Sequence, residues 1–139
     1  MKLEQSLGLC VQDFDIQQMI GPSVLMPGVE VELDEAIRVA EERFPGRSMC
    51  VVREWVWLDL EAPDLVNEEL ASERKQPVML LVFQVQFDSS TSSKAHWFRT
   101  TPLIEFSDGM FFQTENKLYV LVGHGRRKSM SLSAVIRLF

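Results

Sequence analysis

Apolar residues recur at helical spacing most regularly between positions 33 and 44. Leu33, Ala36, Ile37, Ala40 and Phe44 share one face, with Asp34, Glu41 and Glu42 elsewhere, which predicts an amphipathic helix over Leu33–Phe44. Glu32, Asp34 and Glu35 stand in or beside its first turn, where the helix dipole favours negative charge, and Pro45-Gly46 stops it. Before it, Gly21, Pro22, Pro27 and Gly28 mark 21–30 as a loop holding one short apolar piece, Val24–Met26. Residues 3–20 fit two patterns: Leu7, Leu9 and Val11 alternate like a strand, while Phe14, Gln17 and Gln18 suit a helical turn.

From Met49 to Leu60 the period becomes two. β-branched and aromatic residues crowd this stretch, which predicts a strand with Cys50, Val52, Val56, Leu58 and Leu60 on one face and Arg53, Trp55, Trp57 and Asp59 on the other. An acidic connection follows over 61–77, in which Asp64 is placed to cap a short helix reaching about Arg74. Val78–Phe87 reads as a second strand, with Met79, Leu81, Phe83, Val85 and Phe87 on one face. A polar hairpin loop is expected over Asp88–Lys94 and a strand over His96–Thr101, with Pro102 at an edge or bulge. Asp108-Gly109 is a two-residue hairpin signal between Leu103–Phe106 and Met110–Thr114, and Lys117–Val122 is the last firm strand. The tail from Leu132 is expected as a short helix opened by Ser129 or Ser131, or as a final strand.

A helix followed by consecutive strands predicts a single α+β domain over 1–139, an antiparallel meander of four to six strands covered by helices. The connections lack the regular crossover helices of a parallel βαβ sheet. Composition agrees: of 139 residues, 46% are apolar and 24% charged, which excludes a disordered chain and suffices for a core. No apolar run approaches the roughly eighteen residues of a membrane span, and the first residues lack a signal-peptide apolar region. Two cysteines are too few for a disulfide scaffold, so a cytoplasmic protein is expected.

The net charge of −6 is unevenly spread, with acidic residues concentrated before position 74 and basic ones prevailing after it. Such blocks either neutralise each other in the fold or leave an acidic face for a basic partner. The acidic balance argues against direct nucleic-acid binding, which needs clustered Lys and Arg.

Candidate chemistry is sparse. Gly123-His124-Gly125-Arg126-Arg127-Lys128 reads as a turn whose backbone N–H groups and cations would suit an anion, or simply as a sharp turn with solvated charges. It lacks the spacing of a Walker loop or a dinucleotide fingerprint. His96, His124, Cys10 and Cys50 show no metal-ligand spacing, and both cysteines lie among apolar residues, so no metal and no cofactor is expected. Glu54 and Glu105 interrupt apolar strands, which an edge charge explains as well as acid–base chemistry does. Arg53, Trp55 and Trp57 form an exposed anchor if the helix packs on the opposite face, and core if that face is also covered.

The stretch from Arg99-Thr100-Thr101-Pro102-Leu103-Ile104-Glu105-Phe106 to Tyr119-Val120-Leu121-Val122-Gly123-His124-Gly125-Arg126-Arg127-Lys128 resembles a family of small uncharacterised proteins of pseudomonads and their mobile elements. The resemblance implies a bacterial, intracellular accessory protein and carries no catalytic residues. The expectation is therefore a non-enzymatic protein-binding module, of inhibitor or immunity type, that occludes a basic or nucleic-acid-handling protein. Glu41, Glu42, Glu68 and Glu69 would steer it, with Arg53, Trp55 and Trp57 as anchors. The alternative is a phosphate- or nucleotide-binding protein or enzyme using residues 123–128. Self-assembly, as a homodimer pairing acidic with basic halves, is the third.

Overall fold

A computed structural model describes residues 21–90 and 97–137. The elements run β1 (Val24–Met26), α1 (Leu33–Arg43), β2 (Met49–Glu61), α2 (Asp64–Ser72), β3 (Val78–Asp88), β4 (Phe98–Arg99), β5 (Glu105–Ser107), β6 (Phe111–Gln113), β7 (Leu118–Leu121), β8 (Gly125–Ser131) and α3 (Leu132–Arg137). The calls on residues 3–20, Cys10 and His96, and most of the expected 88–94 loop, lie outside the described residues.

The chain is α+β, but its sheet is mixed and larger than the expected meander. Strand β2 pairs antiparallel with β3 along one edge. Along its other edge it pairs parallel with β7 and then with β8. No crossover helix is needed, because the return path from β2 runs through α2, β3, β4, β5 and β6 before β7 arrives beside it. The sheet also curls on itself. Strand β4 pairs with β3, and β5 pairs with β6, yet β4 and β5 are two parts of one bent stretch. Thr100 and Leu103 donate to Leu80 and Val78 on the β3 side at 3.0 and 2.9 Å, and Ile104 donates to Gln113 on the β6 side at 2.7 Å. Pro102, which has no N–H to give, sits at this bend, where the sequence places an edge or bulge.

The curl separates an inside from an outside. Inside lie Cys50, Val52, Trp55, Trp57, Leu80, Val82, Leu103, Phe112 and Leu121. Outside, α1 lays Ala36 and Ala40 over Met49, Val51, Phe111 and Val120. Val135 of α3 covers Val56, Leu58, Leu60, Met79 and Leu81. Both faces of β2 are thus buried, and the face assignment expected from strict alternation is corrected. Cys50 and Val52 share the inside with Trp55 and Trp57, whereas Val56, Leu58 and Leu60 lie outside. The reason is Glu54, a non-glycine residue at φ 55°, which reverses the side-chain phase in mid-strand. Strand β3 is likewise irregular, its register shifting opposite Val51 and Val52, so Phe87 packs under α1 while Val85 is exposed.

The Asp108-Gly109 turn and the Ser131 cap form where the sequence places them. Asp108 and Gly109 take φ 56° and 71°, and Met110 N–H closes the turn to Ser107 at 3.1 Å. Arg43 at the end of α1 pairs with Asp108, tying the hairpin to the helix. Ser131 accepts from Ala134 N–H at 3.2 Å and caps α3. Asp64 does not cap α2: Pro63 holds the cap position and Asp64 is the first helical residue. Val24–Met26, expected within a loop, is strand β1, paired with β8.

Candidate functional site

The two segments singled out as surface sites are neighbours in the sheet and serve each other. Val56–Glu61 of β2 lies in parallel register with Arg126–Ser131 of β8. Gly125 packs against the Trp55 indole so closely that a Cβ there would enter the ring. Trp55 is 1% exposed and donates Nε1–H to the Val122 carbonyl at 3.3 Å. Trp57 is 7% exposed, edge-on to Phe106 and Phe112 at 4.9 and 5.4 Å. Neither tryptophan is available as an exposed anchor, which corrects that expectation: the curl of the sheet covers the face that the helix leaves open. Arg53 pairs with Glu30.

Of residues 123–128, Gly123 and His124 alone form the turn, and the rest is strand. Strand β8 begins at Gly125, and its cations divide between two clefts, Arg126 lining one and Arg127 and Lys128 the other, instead of all converging on one anion. Arg127 lies over the Trp57 ring at 5.3 Å and clasps Asp59 at 2.7 and 3.1 Å. Lys128 donates to the Pro22 carbonyl at 3.1 Å, while Arg126 reaches Ser23 Oγ only at 3.5 Å. The Gly123 N–H is committed to Val29 O at 2.8 Å, and His124 Nδ1 accepts from Gly28 N–H at 3.0 Å. A cleft of about 190 Å³ opens beside this junction, over Trp55 and between Leu25, Glu54, Val56, His124 and Arg126. A second groove, of about 510 Å³, runs past Ser23, Asp59, Arg127, Lys128 and Ser129.

Other polar groups are held by structure. Burial pushes the Cys50 thiol up to about 12, so no reactive thiolate forms at neutral pH. Tyr119 beside it is likewise raised to about 12, chiefly by burial. Burial would also raise Asp88, but hydrogen bonds from Lys117 and from the N–H and Oγ of Ser90 outweigh it and hold the carboxyl below its ordinary range. Among the described residues no three His, Cys, Asp or Glu side chains come together as a metal site.

The acidic side chains are the exposed ones. On α1, Glu42 is bridged by Arg38, which also holds Glu35, at 2.7 and 2.6 Å, while Glu41 has no ion-pair partner among the described residues. On α2, Glu68 and Glu69 are exposed and make no ion pair among the described residues, and the helix has no fully buried residue. Leu65 in its first turn is 79% exposed. Helix α2 is an insertion in the β2–β3 hairpin, and Lys75 ties its return to Glu73 at 3.0 Å and to Glu115 at 2.8 Å. Glu105 is exposed at the start of β5. Among the described residues, Arg43–Asp108, Lys75–Glu73 and Arg127–Asp59 pair between the acidic and basic halves of the chain.

A family model described as a domain of unknown function, DUF6957, matches residues 27–137. The chain belongs to that family. No curated protein and no solved structure matches it. The DUF6957 match spans α1, the curled sheet from β2 to β8, and α3, together with the Gly28–His124 contact. No helix among the described residues is long and apolar enough to cross a membrane.

Sequence reasoning missed the junction itself. Gly28, Glu30, Arg53, Gly123 and His124 meet there from three separate stretches. The clues were a glutamate inside an apolar strand and a Gly-x-Gly whose glycines serve close packing instead of phosphate binding.

Proposed function

We propose that this DUF6957 protein is a non-enzymatic binding module that engages a basic or nucleic-acid-handling protein through its acidic helices and blocks it sterically. The observation that carries the reading is the exposure of Glu41, Glu42, Glu68 and Glu69 on two helices whose solvent faces are acidic, while the cations of β8 are engaged in the fold. Complementary charge of this kind accelerates encounter and rejects like-charged partners. The resemblance to small accessory proteins of pseudomonads and their mobile elements supports an inhibitor or immunity role, within a bacterial cytoplasm. Trp55 and Trp57 act only as the rigid base of the sheet in this reading. The anion-cradle alternative loses its support, since residues 123–128 lack a common focus.

The test begins with a partner isolated by affinity capture. Its association rate is then measured with the wild-type chain and with Glu41→Lys/Glu42→Lys/Glu68→Lys/Glu69→Lys. The expected result is a fall in on-rate of about tenfold or more at low salt, with a flattened salt dependence. An unchanged rate and salt slope would overturn the steering reading.

A further inference from the structure

Residues 27–32 join β1 to α1 as a strap laid across the point where β2 passes from β7 to β8. Three attachments hold it: Gly28 N–H to His124 Nδ1 at 3.0 Å, Gly123 N–H to Val29 O at 2.8 Å, and the Glu30–Arg53 ion pair. The approach is so close that a Cβ on Gly28 would collide with the Gly123 carbonyl. An imidazole Nδ1 accepts a hydrogen bond only when the ring is neutral and its proton sits on Nε2. Protonation places a second N–H at Nδ1, pointed at the Gly28 N–H, and the bond becomes a donor–donor contact.

We propose that His124 is a pH-operated latch on this strap: the neutral ring fastens Gly28 to the β7–β8 junction, and the protonated ring releases Gly28. The charged groups around it are Glu30 from the strap, Arg53 and Glu54 from β2, and Arg126 from β8. Arg53's hydrogen bond holds the Glu30 carboxyl below its ordinary 4.5, so Glu30 stays ionised between pH 8 and pH 5. The Gly28 bond is thus made by the neutral ring and lost when Nδ1 gains a proton. With Glu30 still clamped by Arg53, the release is local and leaves α1 in place.

The experiment is amide hydrogen exchange of the full chain, read by NMR at pH 8 and pH 5 and corrected for intrinsic rates. Opening at Gly28 is expected to increase about three- to tenfold at pH 5, the loss of one hydrogen bond. His124→Gln, whose side-chain carbonyl accepts without titrating, is expected to remove that difference. Equal protection of Gly28 at both pH values, or the same rise in His124→Gln, would overturn the latch. Ring nitrogen shifts of the wild type provide a second reading that needs no variant. A bare Nδ1 and a protonated Nε2 at pH 8 are expected, and the opposite tautomer would overturn it.

Discussion

The two halves of β2 bury the same kinds of side chain in opposite phase. Before Glu54, the odd positions Met49 and Val51 face α1, and the even positions Cys50 and Val52 face inward. After it, the odd positions Trp55 and Trp57 face inward, and Val56, Leu58 and Leu60 face α3. The halves also take different parallel partners, β7 for the first and β8 for the second. One left-handed residue thus lets a single strand serve two outer layers and one interior, with the strap and His124 filling the seam. The small first-half residues could occupy many sites; the two indoles of the second half could not, so that half depends more on its partner strand.

The largest expected effect lies in that dependence. Trp55→Ala empties the space against Gly125 and is expected to destabilise by about 3–5 kcal/mol in denaturant unfolding. Gly125→Ala drives a methyl into the indole and is expected to lose about 1–3 kcal/mol. Because the two changes meet at one contact, the double variant should be less destabilised than the sum, by at least about 0.5 kcal/mol. Strict additivity would show that Gly125 is not there to seat the ring.

The phase reversal itself is tested at Glu54. A β-branched side chain resists φ 55°, so Glu54→Val is expected to cost about 1–3 kcal/mol, although valine is the better strand former. Glu54→Gly removes that strain and should be the more stable of the two variants. If valine were the more stable, the reversal would not rest on a left-handed residue.

Much of the fold was legible because its signals are local. The period of α1, the Asp108-Gly109 turn and the Ser131 cap each depend on residues within a few positions of one another. The parallel pairing of β2 with β7 and β8 joins residues tens of positions apart, which alternation alone does not encode. Trp55 and Trp57 were assigned to one face correctly, but their burial depends on the curl that Phe106 and Phe112 complete. The cations of 126–128 looked like a cluster because sequence adjacency hides the alternation of a strand. The exposed acids of α1 and α2 were legible as a surface, since charges on amphipathic helices face water.

Each half of β2 also has an ion pair beside it, across the strand at the first half and from β2 itself to β8 at the second, and the two differ in exposure. Asp88 of β3 and Lys117, just before β7, meet at 3.0 Å across the first half, with the Asp88 side chain 9% exposed. Asp88→Asn is expected to lose about 1 kcal/mol at neutral pH. The Asp88 carboxyl is held below its ordinary 3.8, so its stabilisation is complete above that pH and fades as the pH falls through the lower folded value. The gap between wild type and Asp88→Asn should therefore close in acid unfolding; a gap that persists in strong acid would assign the loss to packing.

At the second half, Arg127 of β8 and Asp59 of β2 itself meet at 2.7 Å, but the Asp59 side chain is 33% exposed and that of Arg127 48%. Water screens such a pair, and the cation over Trp57 adds little at an exposed site. Trp57 owes its burial to Phe106 and Phe112, which remain when Arg127 is shortened. Arg127→Ala is thus expected to cost only about 0.5 kcal/mol, below Asp88→Asn, and added salt should shrink that difference for Arg127 more than for Asp88. The ranking would reverse if the guanidinium, and not the aromatic contacts, kept water off the indole. Trp57 fluorescence would then shift to the red in Arg127→Ala, whereas the aromatic seat predicts an unshifted spectrum.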